Sequence, residues 1–187
     1  DREWARFAVT WLRGMTVSTD SRSILPGQIF VALKGESFDG HRYLARVQLA
    51  GACAAIVSQR DTKITLPQFE LGDTRLALIK AGSAWRRQFH LPAIAVTGTN
   101  GKTTTKEMVA AILLARVGAQ ASLSTAGNLN NDIGVPLTLL RLRPSHSAAV
   151  FELGMNHPGE IAGLADMAQA TVALVNNAQR EHQEFMH

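Results

Sequence analysis

The residues best suited to chemistry are Gly98-Thr99-Asn100-Gly101-Lys102-Thr103. Two glycines bracket two polar residues, and a lysine and a threonine follow at once. Glycine lets the backbone approach an anion and adopt a positive φ. The N–H groups of such a turn, with those of a helix opening behind it, form a ready anion site. A lysine in that place reaches β- and γ-phosphates, and a threonine hydroxyl can ligate Mg²⁺. The spacing is G-x-x-G-K-T. The longer pattern G-x-x-x-x-G-K-[ST] needs a glycine at 96, where this chain has Val96. The apolar run Ile94-Ala95-Val96-Thr97 supplies the strand before the turn, and the order strand, turn, helix points to nucleotide binding.

The elements that must position this loop alternate. Four strand-like segments are expected at Ala93 to Thr97, Ala121 to Ser124, Ala148 to Glu152 and Val172 to Asn176. Between them lie a helix over Lys102 to Leu114, a polar Asn/Gly loop with a short helix over Asn128 to Arg141, and a helix over Glu160 to Ala168. Strands alternating with helices imply right-handed crossovers and a mostly parallel sheet. Ligands of such sheets bind beyond the carboxyl ends of the strands. The phosphate loop, Glu152 and Asn176-Asn177 all fall at that edge.

The first half reads as a smaller α/β unit. A helix is expected over Glu3 to Leu12, where Trp4, Phe7, Ala8 and Trp11 share one face. Pro26-Gly27 marks a turn and Gln28 to Leu33 a strand. A helix over Tyr43 to Leu49, ended by Gly51, precedes a strand over Ala54 to Ser58. Asp73-Thr74 caps a long helix to about Phe89, which His90-Leu91-Pro92 breaks. The expected division is residues 1–90 and residues 91–187, an α/β chain with no internal repeat.

The formal net charge of +4 does not by itself indicate nucleic acid. Residues 1–91 hold 13 Lys and Arg against 8 Asp and Glu, and residues 92–187 hold 6 against 7. The basic residues are scattered, without interleaved aromatics for base stacking, so an anionic small molecule suits them better. No apolar run approaches the roughly 20 residues needed to span a bilayer, and the opening residues lack the layout of a secretory signal. Cys53 stands alone in an apolar stretch, which excludes a disulfide scaffold and reads as a buried small side chain. A cytoplasmic monomer that binds no nucleic acid and does not enter the membrane is the simplest expectation.

Val96-Thr97-Gly98-Thr99-Asn100-Gly101-Lys102-Thr103-Thr104 resembles the ATP-binding signature of the Mur ligases and their folylpolyglutamate synthase relatives. Thr19-Asp20-Ser21-Arg22, Pro26-Gly27 and Phe30 to Gly35 resemble the uridine-nucleotide-binding domain of that family. The segments Ala126 to Pro136 and Glu152 to Ile161 resemble its MurF type. The resemblance implies a small mixed α/β N-terminal substrate domain followed by an incomplete, mostly parallel P-loop-type domain. It also implies an ATP- and Mg²⁺-dependent ligase that joins D-alanyl-D-alanine to UDP-N-acetylmuramoyl-tripeptide through an acyl phosphate.

On that resemblance Gly98, Thr99, Asn100, Gly101, Lys102, Thr103 and Thr104 bind ATP, and Lys102, Glu152 and His182 are catalytic. Thr103, Glu152 and His182 hold metal. Thr19, Ser21 and Arg22, with Glu36, Ser37 and Phe38, contact the uridine nucleotide, and Asn128, Asn130 and Asn131 line the muramoyl-peptide channel. His41, His146 and His157 read as structural or surface residues.

The family pattern continues past His187 with a metal-associated lysine and a third domain. The expectation is therefore a fragment, inactive by itself, whose opening segment is also shortened. Rival expectations are the preceding ligase, which adds the third amino acid, a non-catalytic nucleotide-binding module, and a nucleic-acid binder.

Overall fold

The computed structural model describes residues 15–155 and 157–178. The helix expected over Glu3 to Leu12, and the residues Asn156 and His182, lie outside the described residues. The chain divides into two compact units, Asp1–Ala81 and Gly82–His187.

In the first unit β1 (Val17–Ser18), β2 (Ile29–Val31), β3 (Ala54–Val57) and β4 (Gln68–Glu70) form one sheet in that order, every pair parallel. All residues of β2 and β3 are buried. Such unbroken apolar runs are what a parallel strand covered on both faces requires. The edge strands β1 and β4 were not expected, being two and three residues long and partly polar. Helix α1 (Leu44–Leu49) follows a single 3₁₀ turn over Gly40–Tyr43, which Asp39 caps through its side chain. Leu44 and Val47 turn inward onto Phe30, Ala32, Ala55, Val57 and Leu66. Cys53, expected to be buried, is half-buried, its thiol donating to the Gly27 carbonyl at 3.1 Å. Asp73 caps α2 (Thr74–Arg86) as expected, accepting from the N–H groups of Arg75 and Leu76.

In the second unit β5 (Ala93–Thr97), β6 (Ser122–Ser124), β7 (Ala148–Glu152) and β8 (Val172–Val175) form a wholly parallel sheet in the order β6-β7-β5-β8. The chain leaves β5 for one side of the sheet and later crosses to the other, so the first strand is central. That reversal of strand order makes the crevice at the carboxyl edge a binding position. Helices α3 (Lys102–Val117), α4 (Gly134–Leu139) and α5 (Glu160–Ala168) make the crossovers. The buried Arg86 guanidinium donates to the carbonyls of Ala168, Phe89 and Gln169, and Trp85 donates to that of Leu142. These bonds satisfy the polar tips of two side chains whose bodies are in the core.

Candidate functional site

The phosphate loop leaves β5 at its carboxyl end and opens into α3 without a side-chain cap. The first-turn N–H groups of α3 are thus available to an anion. Gly98 has φ +134° and Gly101 φ +76°, conformations that side-chain-bearing residues rarely adopt. A Cβ on Gly98 would also lie 2.9 Å from the backbone of Asn177, and one on Gly101 2.6 Å from the Asn176 amide. Lys102 folds back over the loop, its ammonium donating to the carbonyls of Gly98 at 2.6 Å and Thr99 at 2.9 Å.

Two residues after β8 hold the loop from behind. The Asn177 carbonyl accepts from Thr99 N–H at 3.2 Å, and its side-chain oxygen from Asn100 N–H at 3.0 Å. The amides of Asn176 and Asn177 donate to the Asn100 carbonyl at 2.6 and 3.1 Å. Asn176 and Asn177 are recognisable in the sequence as strand-end residues, but their grip on the loop joins positions some 77 apart and leaves no local signal. Lys106, a turn beyond Lys102, is fully buried and paired with Glu107.

Glu152 ends β7 in register with Val96, beside the loop. Its carboxylate is only 1% exposed. One oxygen accepts from the Asn130 amide at 2.8 Å and from the Thr103 hydroxyl at 3.2 Å. The other oxygen, Oε2, is buried without a hydrogen-bond partner. A carboxylate oxygen sequestered in this way lacks the partner that a cation would supply. Thr103 and Glu152 therefore fit a hard divalent cation, which takes few protein carboxylates and fills the rest of its shell from phosphate and water. Among the described residues no three His, Cys, Asp or Glu side chains converge as a self-sufficient metal centre.

The Asn-rich loop divides its labour. Asn130 reaches Glu152, and it does so in space left by Gly154, where a Cβ would stand 2.9 to 3.0 Å from the Asn130 side chain. The Asn131 oxygen accepts from the N–H groups of Ile133 and Gly134 at the start of α4. Asn128 is exposed. Thr104 is exposed on the first turn of α3.

The first unit carries a separate cleft of about 360 Å³. Thr19, Asp20, Ser21 and Arg22 line it, as do the buried Phe30 and Gly40, and so do Phe38, Tyr43 and Arg46. Of the residues expected to contact a nucleotide, Thr19, Ser21, Arg22 and Phe38 are there. Glu36 and Ser37 are exposed and do not line it. Tyr43 and Arg46, which fall in the helix expected over Tyr43 to Leu49, were not singled out as contacts in the sequence.

Arg22 donates through Nε and Nη2 to the two Asp20 oxygens at 2.9 and 3.0 Å. Those side-chain bonds, then the Arg22 backbone N–H, lower the Asp20 carboxyl to about 2. Near the cleft, His41 Nδ1 meets Asp39 at 2.6 Å, and Nε2 accepts the backbone N–H of Ser58 at 2.9 Å. That N–H occupies the lone pair a base would need, so the Asp39–His41–Ser58 group fastens the loop and is no hydrolytic triad.

The family profile described as "Mur ligase family, catalytic domain" matches residues 15–114, and that described as "Mur ligase middle domain" matches residues 96–187. The UDP-N-acetylmuramoyl-tripeptide–D-alanyl-D-alanine ligase of Escherichia coli K12 is 50% identical over 168 residues, covering 90% of this chain and 36% of the relative. A crystal structure of MurF from Acinetobacter baumannii is 40% identical with a TM-score of 0.83, covering 98% of this chain and 41% of that one. The MurF ligase of Thermotoga maritima in complex with ADP is 30% identical with a TM-score of 0.71, covering 85% and 36%. The chain thus spans about a third of the length of the curated relatives it matches.

Proposed function

The chain belongs to the Mur ligase family, and from that premise we propose that it supplies the nucleotide-binding parts of an amide-forming ligase. The reaction joins D-alanyl-D-alanine to UDP-N-acetylmuramoyl-tripeptide with consumption of ATP, in the cytoplasm. The observation that carries this reading is the buried Glu152 carboxylate, which keeps an oxygen without a hydrogen-bond partner beside a phosphate loop. The resemblance of Ala126 to Pro136 to the MurF type supports the tripeptide stage.

In this reading residues 91–187 bind ATP through the loop and α3, with Lys102 leaving the loop carbonyls to neutralise phosphate oxygens. Thr103 and Glu152 would hold Mg²⁺, which when bound would supply charge neutralisation where two anions must meet. His182 joins them by resemblance alone. The terminal carboxylate of the peptide takes the γ-phosphoryl group and ADP departs. The amine of D-alanyl-D-alanine then attacks the acyl carbon, phosphate leaves, and the amine proton is lost to solvent. Asn130 orients Glu152, and residues 1–90 hold the uridine nucleotide.

The test is ADP release with UDP-muramoyl-tripeptide and D-alanyl-D-alanine, measured for the chain and for the full reading frame to which it belongs. The expected result is release by the full frame that needs both substrates. Equal turnover with the UDP-muramoyl-dipeptide and a single amino acid would move the assignment one step earlier. ATP binding without any ligation by the full frame would leave only a nucleotide-binding module.

A further inference from the structure

Two guanidinium groups line the cleft of the first unit, and they are not equivalent. Arg22 is engaged by both oxygens of Asp20, in a pair whose charges cancel locally. Its backbone N–H is bound to the same carboxylate, at 2.9 Å. The pair therefore shapes the turn from Thr19 to Arg22, and an anion must compete with Asp20 for that guanidinium. Arg46 lies on α1, exposed, and its side chain makes no hydrogen bond or ion pair among the described residues. It stands one helical turn beyond Tyr43, so the two share a face. Tyr43 is 42% exposed and Phe38 50% exposed, and both line the same cleft.

We infer that Arg46 is the cation that binds the diphosphate of the uridine nucleotide in this cleft, with Arg22 serving to hold the turn. The inference rests on the reading of this unit as a nucleotide-binding domain. The chemistry matches by parts. Exposed aromatic faces suit a planar base, the hydroxyls of Thr19 and Ser21 suit the ribose, and an uncommitted planar guanidinium suits paired phosphate oxygens.

The test is calorimetric binding of UDP and of uridine to the full chain and to its Arg46→Gln, Arg46→Lys and Arg22→Gln variants. Arg46 is exposed, so its replacement leaves folding intact. The expected result is that Arg46→Gln weakens UDP about tenfold, in the range of a charge-assisted contact, and leaves uridine unchanged. Arg46→Lys recovers part of the loss, and Arg22→Gln weakens both ligands alike. The inference is overturned if Arg46→Gln binds UDP as the parent does, or if Arg22→Gln loses UDP selectively. A parent chain that binds neither ligand overturns the nucleotide-domain reading together with the inference. One that binds uridine and UDP equally overturns the inference alone.

Discussion

In the second unit the candidate site is made by backbone and by buried groups. Two glycines in positive φ, the uncapped start of α3 and a sequestered carboxylate are fixed by strands β5, β7 and β8 before any ligand arrives. In the first unit the candidate site is made by side chains on a turn, a 3₁₀ segment and a two-turn helix, and its ion pair is open to water at 77% and 40% exposure. Exposed pairs of that kind contribute little to stability and are screened by salt. The contrast is between a rigid site, where one change has a large effect, and an adjustable one, where changes are graded.

Lys102→Ala should show the largest effect. ATP affinity, followed by calorimetry, should fall by about 100-fold or more, the scale of a lost charge contact in a preorganised site. UDP affinity should be unaffected, and a parallel loss of both would show that the two sites are not separate.

Next comes Gly154→Ala. Its Cβ would press on the Asn130 side chain, at about 1–3 kcal/mol for such overpacking. It should lower the melting temperature and weaken Mg²⁺–ATP binding about tenfold by moving Asn130 off Glu152. Retained affinity would mean that Asn130 does not orient the carboxylate.

Glu152→Gln should instead raise the melting temperature measured without metal, by a few degrees. It puts a neutral amide where a carboxylate oxygen is buried without a partner, and a buried unpaired amide costs less than a buried unpaired carboxylate. A lower melting temperature would mean that the carboxylate is already compensated in the free protein.

Asp20 should give the smallest effect. Its carboxyl is held near 2 in the folded chain and returns to the ordinary carboxylate range when unfolded. The pair's contribution is thus complete above about pH 4 and lost as pH falls through about 2. Stability between pH 5 and 8 should not change in Asp20→Asn relative to its value at pH 7, and UDP affinity should shift only a few-fold. A steep pH dependence removed by the substitution would contradict the pairing.

The sequence was most legible where local pattern and tertiary role coincide. Strands β5 and β7 and helix α5 carry the expected limits because unbroken apolar runs and glycine or acidic starts mark them. Helix α3 runs on to Val117, where Gly118 stops it. Strands β1 and β4 are shorter than the roughly four residues over which alternation can show, and exist through pairing with β2 and β3.

At the sites, Gly98, Gly101, Lys102, Thr103 and Glu152 stand together because motif and strand order both call for it. The nearest neighbours of those residues were harder to read. The hold of Asn176 and Asn177 on the loop, and the commitment of the Asn131 oxygen to α4, depend on backbone partners that composition does not specify. Within Glu36-Ser37-Phe38 only Phe38 lines the cleft, since a loop has no fixed period from which to tell which side chain turns inward.

The most direct test of the account is ATP binding by the full chain with Mg²⁺ and with a chelator, in the parent and in Glu152→Gln. Binding should be at least about tenfold tighter with Mg²⁺ in the parent, the scale of a single charge-assisted contact, with nearly no difference in the variant. Equal affinity with and without Mg²⁺ in the parent, or an undiminished Mg²⁺ effect in Glu152→Gln, would contradict it.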